Sequence, residues 1–397
     1  MRVLMVSDVY FPRINGVSTS IQTFRHTLPE HGVDVRLVAP DYGQTDGQDW
    51  INRVPGRVIP LDPEDRLLHW HATHKAVLKT AEDCDIIHTH TPFVAHYAGL
   101  SAARRLGLPI ITTYHTLFEE YLQHYAPFIP AGMLRWQTRA WSRRQCNALD
   151  AIVVPSQAMQ RRLEDYGVST PMHILPTGIP LQQFAAGNGA AFRARHDIAA
   201  DRPVALYVGR VAHEKNIPML LQAMQTVRQQ IPHALLLITG NGPAVEDLQK
   251  QAQQLGVTEN TRFLGYLDRQ QELPDCYAAA NIFVFASRTE TQGLVLLEAM
   301  ASGLPVMALA AMGTVDIMEP RRGAIVPPDD AQGFGSALTE YFQHPETWPA
   351  FSEQARNYAQ EWSDTAMAGR LSHLYRSLIE TQPERKEWKV RTRAKLA

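Results

Sequence analysis

The stretch "NIFVFASRTETQGLVLLEAMASGLPVMALA", residues 281–310, decides the fold. It opens on an apolar run at 281–287 with no polar alternation. A turn-rich segment follows, and then a helix over 293–302 that Gly303-Leu304-Pro305 stops. A second apolar run, "PVMALA" at 305–310, begins at once. Unbroken apolar strands joined through one helix predict a parallel sheet covered on both faces.

The same rhythm extends outward. "VALYVG", "ALLLITG", "RFLGYL" and "AIVPP" read as further strands of the second half, with helices at 217–231 and 244–255. In the first half "RVLMVS", "VDVRLVAP", "DIIHTH", "PIITTYH", "AIVVPS" and "MHILP" are strands, and 93–106 and 157–166 are amphipathic. The prediction is an α/β protein of two doubly wound halves. The break falls near 176–192, "PTGIPLQQFAAGNGAAF", which is rich in Gly, Ala and Pro. A helix begins at about 364, with Ser363 as its N-cap. The basic tail "ERKEWKVRTRAKLA" reads as frayed or surface-bound.

Bulk properties narrow the function. The 397 residues suit two domains, and a net charge of -2 gives no general attraction for nucleic acid. Cys84, Cys146 and Cys276 have no disulfide or metal spacing, which fits a reducing cytoplasm. "MRVLMVSDVY" is too short an apolar run for a leader peptide, and Glu298 and Pro305 interrupt the apolar stretch 293–313.

Parallel sheets bind ligands beyond the carboxyl ends of their strands. Arg210 and Lys215, in "GRVAHEKN" after a strand, suit a diphosphate, or else an ordinary solvated loop. The start of the helix at Gly293, Leu294 and Val295 offers amides to an anion. Glu290 precedes that helix, and Glu298 lies on it among apolar residues. Either Glu298 is exposed, or it is buried and needs donors such as sugar or ribose hydroxyls. Gly16, after the first strand, permits a backbone approach to phosphate or simply makes a turn. His115 ends a strand and can donate hydrogen bonds, trade protons or serve structure alone, and His88 and His90 share that ambiguity. "TGNGP" at 239–243 lacks the third glycine of a dinucleotide fingerprint. His69, His71 and His74 read as surface residues. Asp83-Cys84-Asp85 precedes its strand, the wrong end for a metal–diphosphate, so no metal is expected.

Together "NGVSTSI", "IIHTHTPF", "TYHTLFEEY", "GRVAHEKN", "GNGP", "FLGYL" and "ETQGLVLLEAMASGLPV" resemble the GT-B retaining glycosyltransferases of family 4. The last carries that family's pair of glutamates eight residues apart. The resemblance implies two Rossmann-like domains facing a cleft. The first, 1–180 plus about 364–397, would take the acceptor, and the C-terminal helix would return to it. The second, 190–363, would take the nucleotide sugar. By position, Glu298 resembles the carboxylate on the donor ribose and Glu290 the one contacting the transferred sugar. Gly293 to Val295, Arg210 and Lys215 would meet the diphosphate, and Gly16 would lie under the phosphates. His115 would stand at the sugar's reacting face, and backbone near Gly265 and Tyr266 at the base.

"TYHTLFEEY" is similar to the branch that glycosylates diacylglycerol. Met133 to Arg144, "MLRWQTRAWSRR", adds four arginines, two tryptophans and no acid. It suits an anionic membrane face, or a solvated basic face with its tryptophans in the core. The expectation is a peripheral enzyme on the inner face of the cytoplasmic membrane, with UDP-glucose as first donor and no required cofactor. UDP-galactose, UDP-sulfoquinovose and GDP-mannose remain open, because "MALAAMGTVDIMEP" departs from the usual text after "GLPV". The alternatives are a mannosyltransferase using GDP-mannose on a polysaccharide or soluble acceptor, an epimerase, and a non-catalytic nucleotide-sugar binder.

Overall fold

A computed structural model describes residues 1–43, 49–59, 62–115 and 131–381, with backbone alone at 62–63 and 131–136. The chain forms two compact units. One is Met1–Gly178 together with the segment from Asp364 on, and the other is Ile179–Ser363.

The strands of the first unit are β1 (Arg2–Val6), β2 (Asp34–Pro40), β3 (Ile51–Val54), β4 (Gly56–Ile59), β5 (Asp62–Leu68), β6 (Ile86–Thr89), β7 (Ile110–Thr113), β8 (Ala151–Val154) and β9 (Met172–Ile174). Seven of them form a parallel sheet in the order β3-β2-β1-β6-β7-β8-β9. The second unit holds β10 (Val204–Val208), β11 (Leu235–Thr239), β12 (Thr261–Gly265), β13 (Ile282–Phe285), β14 (Val306–Ala308) and β15 (Ala324–Ile325). Their order is β12-β11-β10-β13-β14-β15, again parallel. Every residue of β10, β11 and β13 is buried, because helices cover the sheet.

Each sheet reverses its winding direction once, between β1 and β6 and between β10 and β13. Loops leaving the carboxyl ends of such a pair diverge to opposite faces and open a crevice for ligand. The segments after β1, β6, β10 and β13 are therefore the first places to search for a site.

Two regions differ from the sequence reading. β4 and β5 pair as an antiparallel hairpin on which Val58 and Leu67 are exposed. The acids and proline of "DPEDRLL" hid this strand from a propensity argument. Residues 181–195 are not a slack connection. They form the helices Leu181–Ala185 and Gly189–Arg195, with Phe184 and Phe192 buried in the second core. A Cβ on Gly187 would lie 2.1 Å from the Pro274 carbonyl oxygen, so this glycine marks close packing.

The helix Asp364–Glu380 returns to the first unit. Its residues Met367, Leu371, Leu374 and Tyr375 follow a helical repeat and join the core beside Ile21, Phe24 and Leu28.

Candidate active site

At the β10/β13 reversal the loop after β10 is tied by backbone bonds to the one after β11 and by a side chain to the end of β13. Gly209 N–H donates to Thr239 O at 3.1 Å, and Val211 N–H to Asn241 O at 3.0 Å. A Cβ on Gly240 would sit 1.9 Å from Gly209 O, and one on Gly242 2.2 Å from Val211 O. The glycines of "TGNGP" thus let two backbones touch. They brace the loop that carries Arg210 and Lys215. Asn216 bonds that loop to Ala286 O at the end of β13, at 3.1 Å.

Arg210 is exposed, and its guanidinium has no ion-pair partner among the described residues. Lys215 Nζ lies 2.5 Å from Glu290 Oε1, and both side chains are about four-fifths buried, at 20% and 17% exposure. Gly293, at φ 90°, turns the chain into the helix Leu294–Ala301. The first amides of any helix have no partner within it, and Glu290 precedes the amides of Gly293, Leu294 and Val295 by three to five residues. Gly313 N–H donates to Glu290 O at 2.8 Å and secures the loop.

Glu298 is fully buried, and its donors come from the protein itself. Arg269 is paired with Oε1, and the Tyr277 hydroxyl donates to Oε2 at 3.0 Å. Burial pushes the Tyr277 hydroxyl well above its usual pKa, and Glu298 adds to this, so Tyr277 keeps its proton. Burial opposes the charge of Arg269, but Glu298 beside it raises the pKa overall. Neither Arg269 nor Tyr277 was singled out in the sequence. An arginine in a polar turn and a tyrosine in an apolar helix give no local sign of pairing. Tyr266 is exposed. The Gly265 carbonyl accepts from the Gly240 amide at 2.7 Å and the Thr239 hydroxyl at 2.9 Å.

In the first unit Gly16 opens the helix Gly16–Thr27, capped by Asn15 Oδ1 on Ser18 N–H at 2.8 Å. A Cβ there would meet nothing within 4 Å. Nothing among the described residues therefore demands the glycine. Gly16→Ala is expected to hold or raise stability by ~0.5 kcal/mol while lowering turnover of a ligand seated on that backbone. Unchanged turnover would mean that nothing approaches there.

His115 is part of a histidine stack. His90 Nδ1 lies 3.1 Å from His115 Nε2, and the His88 and His90 ring centroids are 4.2 Å apart. His88 is fastened by Thr113 at 2.7 Å and by the Tyr375 hydroxyl, from the returning helix, at 2.6 Å. Burial lowers the pKa of His115 to about 4 and of His88 to about 3, and takes His90 well below its usual value. The lowered values favour neutral rings at pH 7, the form in which an imidazole carries one donor and one acceptor nitrogen. Asp8 bonds the Thr91 hydroxyl at 2.7 Å and the Ala95 amide at 3.2 Å, capping the helix Val94–Leu106, and burial lifts its pKa to about 6.

Elsewhere, Asp85 accepts from the Arg2 amide at 2.9 Å, a structural role at the amino ends of the central strands β1 and β6. His74 bonds Ser101 at 2.9 Å. The arginine-rich segment forms the helix Ala131–Cys146. The side chains of Arg135 and Trp136, and residues 116–121 of "TYHTLFEEY", lie outside the described residues. Trp141 donates to the Tyr97 hydroxyl at 2.9 Å, and its ring is 6.3 Å from that of Phe93. Phe93 and Tyr97 are 48% and 42% exposed, and Arg143 and Arg144 are exposed on the same helix as Trp141. Among the described residues no helix is long and apolar enough to cross a membrane.

Residues 14–183 match the family described as Glycosyltransferase Family 4, and residues 190–361 match Glycosyl transferases group 1. Alpha-monoglucosyldiacylglycerol synthase of Streptococcus pneumoniae is 33% identical over 319 residues, covering 78% of this chain and 71% of that protein. The chain belongs to glycosyltransferase family 4. A GDP-mannose-dependent alpha-mannosyltransferase of Mycobacterium tuberculosis is also similar to this family 4 chain, 30% identical over 83% of it and 84% of the relative. Among solved structures, Anabaena HepE in complex with UDP superposes with a TM-score of 0.77 at 16% identity, covering 95% and 100% of the two chains. The architecture is the GT-B fold of two Rossmann-like domains, and the protein is a glycosyltransferase.

Proposed function

We propose that this glycosyltransferase moves a hexose, with retention, from a nucleoside-diphosphate sugar to a membrane lipid such as diacylglycerol. UDP-glucose is the first donor. The observation that carries the reading is the 2.5 Å Lys215–Glu290 pair beside the open start of the helix Leu294–Ala301. Cation and helix amides there suit a donor's diphosphate, and the carboxylate suits its sugar.

When a donor binds, Lys215 exchanges Glu290 for the diphosphate, and Glu290 is released to the sugar hydroxyls. Charge grows on the leaving diphosphate as the anomeric carbon becomes oxocarbenium-like. Arg210, Lys215 and the amides of Gly293, Leu294 and Val295 meet that charge, so the reading calls for no metal ion. Neutral His115 accepts or donates a hydrogen bond at the sugar. The Tyr266 ring and the turn after Gly265 lie at the base.

A lipid acceptor is supported by the likeness to the Streptococcus pneumoniae synthase, which covers 71% of that protein. The exposed rings of Phe93 and Tyr97 near Arg143 and Arg144 suit a peripheral stance on an anionic leaflet, on its cytoplasmic side. A second reading, mannosyl transfer from GDP-mannose, is favoured by the mycobacterial relative.

The test is mass spectrometry of lipids after incubation with diacylglycerol vesicles and, separately, UDP-glucose, UDP-galactose and GDP-mannose, with chelator present. We expect hexosyl-diacylglycerol from UDP-glucose. Product from GDP-mannose alone would select the second reading. Donor consumed with no lipid product would overturn the lipid acceptor.

A further inference from the structure

Glu298 sits just over one turn into the helix at whose start the diphosphate is expected, yet none of its side chain is exposed. Of the three groups in its cluster, Arg269 alone reaches solvent, at 33% of its side chain, whereas Tyr277 is fully buried. Arg269 is held from further sides. Gln183 donates to its carbonyl at 2.8 Å, and its guanidinium lies 5.6 Å from the centre of the Phe184 ring. Both of those residues come from the short helix in the glycine-rich segment 176–192. The arginine stands four residues after Gly265, on the turn where the base is expected.

A carboxylate has about four lone-pair sites, and here two donors use two of them. Ribose hydroxyls bring donors but no charge. Burying a carboxylate this deep is costly, and a cation beside it offsets that cost both before and after a nucleoside arrives. A guanidinium fork suits this task, because it can give up one contact and keep another.

We propose that Arg269 is the positioning residue that makes Glu298 selective for ribose. It holds the carboxylate charged and oriented, and it yields one edge of that carboxylate to the sugar hydroxyls when a nucleotide binds. The proposal rests on the reading of Glu298 as the ribose-binding group.

The experiment is calorimetric titration of the full chain with UDP and 2′,3′-dideoxy-UDP, and with the matching guanosine pair. The variants are Arg269→Met, Arg269→Lys and Glu298→Gln. The unsubstituted chain is expected to prefer the ribonucleotide by about tenfold or more, the strength of a hydrogen bond to a charged group. Arg269→Met should bring the ratio to about two or less, Arg269→Lys should retain most of it, and Glu298→Gln should abolish it. Arg269→Gln, which keeps a donor without charge, repeats the test if the methionine variant does not fold. A ratio kept in Arg269→Met or Arg269→Gln but lost in Glu298→Gln overturns the role of Arg269 and leaves the ribose reading standing. A ratio kept in Glu298→Gln overturns the ribose reading itself. No binding of either ribonucleotide by the unsubstituted chain overturns both.

Discussion

Glu298→Ala is expected to destabilise the second unit by ~3 kcal/mol and, with it, to weaken nucleotide binding. The stability loss has two sources. Arg269 loses its counter-charge, and breaking a buried ion pair costs about 3–5 kcal/mol when both partners are buried. Here the guanidinium is 33% exposed and recovers part of that from water. The Tyr277 hydroxyl, fully buried, loses its 3.0 Å acceptor and keeps only a 3.5 Å approach to Val295 O. An unsatisfied buried donor costs about 1–3 kcal/mol. For a unit of this size, ~3 kcal/mol lowers the melting midpoint by about 6–12 °C. Thermal unfolding by circular dichroism reads this directly. A midpoint within ~2 °C of the unsubstituted chain would show that the cluster contributes little to stability.

The second large effect is expected at Gly242, to which the proposed mechanism assigns no donor contact. Its alanine variant would place Cβ 2.2 Å from the Val211 carbonyl oxygen, a backbone atom with no rotamer to relieve the clash. The Val211 amide bond to Asn241 and the Ala244 amide bond to Val211, at 3.0 and 3.1 Å, must stretch or break. Overpacking of this kind costs about 1–3 kcal/mol. The larger consequence is catalytic, because the displaced loop carries Arg210 and Lys215. A shift of ~1 Å in groups that position a reacting centre costs about a hundredfold in rate. We expect kcat/KM to fall by about that factor while the chain stays folded. Near-normal kcat/KM in a folded Gly242→Ala protein would show that the loop adapts and that its backbone contacts do not set the site.

The two variants separate kinds of information in the chain. Alternation of apolar runs with amphipathic segments was legible residue by residue. A strand buried on both faces must be apolar throughout, and a covering helix must show an apolar stripe. That suffices to read β10, β11, β13 and β14 with their helices, and a helix from about 364 on, whose return to the first unit came only from the family resemblance. It also suffices to put Arg210, Lys215, Glu290 and Gly293 after strands, where a doubly wound sheet opens its crevice. The hairpin β4–β5 escaped because β4 is four residues long and partly exposed, and β5 opens on acids and a proline, so no burial pattern marks them.

What the sequence by itself determined is therefore the fold class, the glycosyltransferase family and the candidate positions. Each of these follows from local periodicity or from motifs within a few residues. Only the tertiary structure decided the partners. Arg269 and Glu298 are 29 residues apart, and His88 and Tyr375 are 287 apart, and strand order brings each pair together. The same holds for Gly240 and Gly242, whose need for smallness lies in the backbone of β10's loop and not in their own neighbours. A side chain's spacing along the chain reports which face it is on. Which donor meets a buried carboxylate there depends on how distant segments are laid side by side.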